Sequence, residues 1–229
     1  MKFVSIGIDC DVANFLNKYN LRKASLPFDW NVSYNGVSKC IECDFDKFTE
    51  PLSNDRINDK DVYFHHDFLE AGTADKDKYN RRCLRLLNIF KEASDTGGTG
   101  DVGDVGGTCE YILFIRKGHM CYHHEEQNGK YKDITCDIKD AQSLDQVLQR
   151  KYPRLKYKII VVVGCTSCFK KDTNFTKYVG NGNGNIEVYN NVCDASEDRN
   201  KLFEECLLNV CIEKIREDKE KQAREKIIF

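Results

Sequence analysis

Apolar positions along this chain follow two periods, and together they lay out an alternation of strands and helices. Residues 2–6 are a short apolar run ended by Gly7, the pattern of a strand closed by a turn. Val12, Phe15 and Leu16 then recur at helical spacing and predict a helix over residues 11–19. Residues 21–30, with Pro27, read as an irregular connection. A second helix is expected over 36–42, followed by Phe45 and Phe48 in packing roles. After a polar loop at 54–60, residues 62–64 form a short strand candidate running into His65, His66 and Asp67. Tyr79, Cys83, Leu86, Leu87 and Phe90 make the stripe of an amphipathic helix over 76–93. Residues 111–115 predict a buried strand closed by Arg116 and Lys117. The strongest strand lies over 157–163. Ile159, Ile160, Val161, Val162 and Val163 show no alternation, so burial on both faces is expected. A helix over 143–151 with Ser143 as N-cap, a short strand over 186–189 and a helix over 199–215 complete the pattern.

This order predicts an α/β fold, a single domain over residues 1–215 with a mainly parallel central sheet flanked by helices. Residues 94–108, SDTGGTGDVGDVGGT, carry no side chains able to form a core and read as a flexible glycine-rich loop. Residues 119–136 are polar with scattered aromatics and read as a hairpin or long loop. Residues 216–229 are expected as a charged helical tail.

Charge and cysteine usage narrow the function classes. A net charge of −2 over 229 residues gives no footprint for nucleic acid or an anionic membrane surface. No apolar run approaches the ~20 residues a membrane span needs. The first apolar run is short and is interrupted by Asp9 and Asp11, so no secretory signal is expected. Twelve cysteines without such a signal read as free thiols in a reducing cytoplasm, that of a host cell if the source is viral. The partners expected are a peptide or small-molecule substrate.

Three groups of residues are candidates for chemistry. Cys10 stands where the first strand hands over to the first helix. A helix start favours a thiolate, whereas ionised Asp9 and Asp11 disfavour it. His66 with Asp67 also follows a strand candidate. Two strand ends on one side of a sheet would bring thiol and imidazole together, as nucleophilic catalysis requires. The second group is His119, Cys121, His123 and His124, four metal-capable residues without zinc-site spacing. The third is the pair Cys40-Ile-Glu-Cys43 and Cys165-Thr-Ser-Cys168, with 121 residues between them and without knuckle turns. Neither group defines a metal site. There is no GxGxxG after the first strand and no GxxxxGK[ST], so no cofactor is expected. Asp9, Asp29, His66, Arg82 and Arg116 form an alternative set, a polar pocket binding an anionic or sugar-like ligand without attack by Cys10. A non-catalytic interaction module, with the Pro-Phe-Asp-Trp block structural, is the third reading.

Residues 5–30, SIGIDCDVANFLNKYNLRKASLPFDW, resemble the opening of the family described as "putative papain-like cysteine peptidase". Gly7, Cys10, Leu21, Arg22, Ser25, Pro27, Phe28, Asp29 and Trp30 occur in that family's order. His66-Asp67-Phe68, the Arg81-Arg82 pair and the strand ending in Arg116 continue the likeness. The resemblance implies Cys10 as nucleophile, His66 as base, and Asp67 or Asp29 as the orienting carboxylate. It also brings an α+β papain-like fold as the alternative to the α/β sheet.

Overall fold

A computed structural model describes residues 1–33, 36–50, 52–69, 73–95, 111–118, 134–165, 176–179, 184–192 and 199–227. Its strands are β1 (Lys2–Ser5), β2 (Val32–Ser33), β3 (Val62–Tyr63), β4 (Ile112–Lys117), β5 (Tyr157–Cys165), β6 (Thr176–Val179) and β7 (Ile186–Val192). Its helices are α1 (Asp11–Lys18), α2 (Gly36–Glu42), α3 (Ala74–Asp95), α4 (Ile134–Lys151) and α5 (Arg199–Ile227). The main sheet runs β1-β4-β5-β7-β6. Its first four strands are parallel, and β6 returns antiparallel to β7. This is the α/β architecture, not the α+β papain-like alternative.

The unalternating strands explain the layering. Side chains on a strand point alternately to opposite faces. On β4 and β5 each face is packed. Ile112, Phe114, Ile159 and Val161 lie in one core, with α2, α3 and α4 supplying Ile41, Leu86, Phe90, Leu144 and Leu148. Leu113, Ile115, Ile160 and Val162 lie in the other, with Val12, Phe15 and Leu16 of α1 and Phe203, Leu207 and Val210 of α5. Burying each such side chain contributes about 1.5–3 kcal/mol, which accounts for an all-apolar centre in the inner strands. The first core extends past the sheet into an aromatic cluster. There Phe48 makes edge-on contacts with Phe28, Phe45 and Phe64, at centroid distances of 5.9, 5.4 and 5.5 Å.

Several elements differ from the expectations. β2 and β3 pair as a two-residue antiparallel ladder, too short for a periodic signal in sequence. α4 begins at Ile134, nine residues before the expected helix. β6 is an additional edge strand. α5 runs on through the charged segment to Ile227. Most of the glycine-rich stretch, the His119, Cys121, His123 and His124 group, and Cys168 lie outside the described residues. Among the described residues no group of three or more His, Cys, Asp or Glu could hold a metal ion, and no helix is long and apolar enough to cross a membrane.

Candidate active site

The site is built around the exit of β1. Beyond Ser5 the chain continues along β4: Ile6 N–H donates to Ile115 O at 2.9 Å and Lys117 N–H to Gly7 O at 2.9 Å. On its other side β1 receives β2, where Ser33 N–H donates to Ile8 O at 2.9 Å. Gly7 makes this approach possible. Its φ is +95°, and a Cβ there would stand 2.2 Å from Ser33 Oγ, so both the dihedral and the space require glycine. The chain then turns through Asp9 into α1, with Asp9 Oδ1 accepting from Asp11 N–H at 2.9 Å. Asn14 N–H closes the first helical turn on Cys10 O at 2.8 Å.

Cys10 is therefore the N-cap of α1, and its side chain makes no capping hydrogen bond. It is half-buried, whereas Cys40, Cys83, Cys206 and Cys211 are buried. It sits at the carboxyl edge of a parallel sheet, where open α/β sheets bind ligands. Burial and then the charges of Asp9 and Asp11 push the thiol above its ordinary range, with Lys117 opposing them. Burial is the larger cause, and the acidic neighbours act in the same direction. Lys117, from the end of β4, is almost fully buried, pairs with Asp11 and lies 4.9 Å from the centroid of the Phe203 ring.

The other residues of the expected site fall into separate clusters. His66 is exposed, and its ring meets that of His65 edge-on at 4.6 Å between centroids. Asp67 is turned toward α3: it accepts from Tyr79 OH at 2.7 Å and from Lys78 Nζ at 2.5 Å. Asp29 is fully buried and closes the loop that carries the motif. Its Oδ2 accepts from Arg22 Nη1 and Leu26 N–H, each at 2.8 Å. Arg22 also lies over the Trp30 ring at 5.5 Å, and Phe28 enters the aromatic cluster. Leu-Arg and Phe-Asp-Trp thus clasp one another. Burial raises Asp29 above the ordinary carboxylate range, opposed by the Leu26 N–H, Arg22 and Arg82. Arg82 is buried against the Tyr79 ring at 4.9 Å, and its Nη1 has no hydrogen-bond partner among the described residues.

Arg116 is buried and fully engaged. Nε bonds Asp137 at 2.8 Å, Nη2 bonds Asp140 at 3.2 Å, and Nη1 donates to Ser33 O at 3.0 Å and Ile6 O at 3.4 Å. It ties α4 to the exits of β1 and β2. The structure thus gathers Asp9, Cys10, Asp11 and Lys117 at one point, with Gly7, Ser33 and Arg116 directly beneath. β2 stands between the end of β1 and β3, the strand that leads to His66. Lys117 is the site residue that sequence reasoning did not assign. Its signal was an adjacent cation pair at the end of a wholly apolar strand.

Comparison with known proteins gives a partial match. Residues 1–63 match the model of the family described as "Putative papain-like cysteine peptidase (DUF1796)". It is the family that the sequence resembles. The match contains Gly7, Cys10 and the Leu21–Trp30 clasp, and ends before His66. A 50-residue stretch is 48% identical to a protein of Acanthamoeba polyphaga mimivirus described as "Uncharacterized protein R408". It covers 21% of this chain and 22% of that protein. No solved structure matches.

Proposed function

We propose that this protein is a thiol-dependent hydrolase of amides or esters in which Cys10 is the nucleophile and His66 the base. The observation that carries this reading is the half-buried, uncapping thiol at the carboxyl edge of β1 and the start of α1. Because the thiol is held above its ordinary range, it rests as S–H near neutral pH, and attack requires removal of its proton as the bond forms. The thiol gives up its proton to the base as sulfur adds to the carbonyl carbon, and the departing amine or alcohol takes that proton from the base. Water then cleaves the thioester. The first-turn N–H groups of a helix lack intrahelical acceptors and favour a developing oxyanion. Asp67 has both carboxylate oxygens on Lys78 and Tyr79, so its support of the base is through the loop that carries His66. Asp29 is committed to Arg22 and Leu26 and fits a structural role better.

The test is hydrolysis of a panel of p-nitrophenyl esters and aminoacyl-coumarin amides. Cys10→Ser should abolish turnover, and His66→Ala should lower kcat at least tenfold. Turnover that survives Cys10→Ser removes the proposal. A second reading is favoured by the raised thiol and the Asp9, Asp11 and Lys117 charges around it: a ligand-binding or group-transferring pocket in which Cys10 shapes the wall. Saturable ligand binding unaffected by Cys10→Ser would select it.

A further inference from the structure

At the opposite end of β1 from Cys10 lies a groove of about 320 Å³, within the size range of small-molecule sites. Its floor and walls are apolar: Phe3 of β1, Leu21 and Leu26 of the motif loop, and Ile89 of α3. Leu26 is buried, while Phe3, Leu21 and Ile89 remain half-buried, so apolar surface is left uncovered inside a concave site. The rim is cationic. Lys23 and Arg85 line it, both exposed, and neither makes an ion pair among the described residues. Arg85 keeps one nitrogen on Ser25 O at 3.2 Å, which fixes its guanidinium at the mouth. The rim's one acidic side chain, Glu92, is matched by Lys2 at 3.0 Å, which leaves an excess of two positive charges.

We propose that this groove binds a soluble single-chain amphiphile with an apolar body and an anionic head, such as a medium-chain carboxylate. The chain lies against Phe3, Leu21, Leu26 and Ile89, and the head is met by Lys23 and Arg85. The apolar walls select against small anions, and the paired cations select against neutral or cationic amphiphiles. The groove is lined by Phe3 near the start of β1, whereas Cys10 lies beyond its end and is not among the lining residues. It is thus a site separate from the proposed thiol chemistry and independent of it.

Isothermal titration calorimetry of the full chain with sodium dodecanoate below its micelle threshold tests this. Saturable one-to-one binding is expected, with acetate silent and dodecyltrimethylammonium at least tenfold weaker. Lys23→Glu with Arg85→Glu, both exposed and compatible with folding, should weaken dodecanoate at least tenfold. Ile89→Glu should do the same with an unchanged circular dichroism spectrum. Cys10→Ser should leave binding unchanged. The proposal is overturned by absence of saturable binding, by equal affinity for the cationic amphiphile, or by binding that the double variant leaves intact. Retention on anionic phospholipid vesicles without binding of free dodecanoate would also overturn it, in favour of a membrane surface.

Discussion

Arg116 has two acidic partners, and they should respond in opposite ways to removal of their charge. Asp137 is fully buried and bonds Arg116 Nε at 2.8 Å. Asp140 is partly exposed, reaches Nη2 at 3.2 Å and is pushed up to about 6 from 3.8, first by burial, with Asp137 adding to it against Arg116. A carboxyl whose folded value is raised binds more protons in the native state than in the unfolded chain. Its contribution therefore favours folding below about pH 4 and is lost as pH rises through about 6. The difference between 6 and 3.8 corresponds to about 3 kcal/mol, lost between those limits. Asp140→Asn removes the buried charge but keeps an acceptor for Nη2. Relative to wild type, the variant should therefore gain up to about 3 kcal/mol between pH 4 and pH 7.5. Asp137→Asn should instead cost about 3–5 kcal/mol at pH 7.5, because it leaves a buried guanidinium without its main counterion. Urea denaturation followed by far-ultraviolet circular dichroism at pH 4, 5.5 and 7.5 measures both. A wild-type-to-Asp140→Asn difference that does not vary with pH would refute the reasoning. So would an Asp140→Asn loss at pH 7.5 equal to that of Asp137→Asn.

Three further outcomes follow from named contacts. Gly7→Ala should lower stability by about 2–4 kcal/mol, from the positive φ and the collision with Ser33, seen as a large fall in Tm. Alkylation of Cys10 by iodoacetamide, followed by mass spectrometry with Cys43 as internal reference, should keep accelerating past pH 9. Asp9→Asn should move that profile to lower pH, and an unchanged profile would show that its carboxylate does not act on the sulfur. Glu187, held down at about 2 by Lys214, Tyr189 and Lys158 against its burial, contributes stability that is present above its ordinary 4.5 and lost as pH falls toward 2. Glu187→Gln should therefore flatten the acid limb of a stability profile while taking from Lys214 its buried counterion and leaving it the half-exposed Glu217. The cost of about 3–5 kcal/mol would be measured by denaturant titration at pH 7.

The sheet was legible because its signal is dense. Ile159 to Val163 announce a strand buried on both sides, and the spacing of Tyr79, Cys83, Leu86 and Phe90 announces α3. The first turns of α4 were hidden because the positions that face Arg116 are Asp137 and Asp140. Two acids on a core-facing turn look like surface until Arg116 is known to lie opposite. β2 is two residues long and owes its place to contacts with β1 and β3, not to its own pattern. At the site, the position of Cys10 and the opposing influence of Asp9 and Asp11 could be read from adjacency alone. The Arg22–Asp29 clasp could not, because the motif that marks it carries no statement of which side chains face one another. Nor could the turning of Asp67 toward Tyr79 and Lys78, which depends on the packing of α3 beneath the β3 loop.

The two charged residues at the end of β4 have a further consequence. Because Ile112 to Ile115 are apolar without interruption, sliding β4 by one residue between its neighbours would exchange one greasy face for another at little hydrophobic cost. Arg116 and Lys117 forbid that slip. Arg116 belongs on the side where Asp137 and Asp140 wait, and Lys117 on the side of Asp11 and Phe203. A shift of one residue would point each cation at the wrong layer and strand buried charge on both. The pair acts as a vernier: it adds less to the depth of the native minimum than to its uniqueness, and it aligns the β1 exit that carries Cys10.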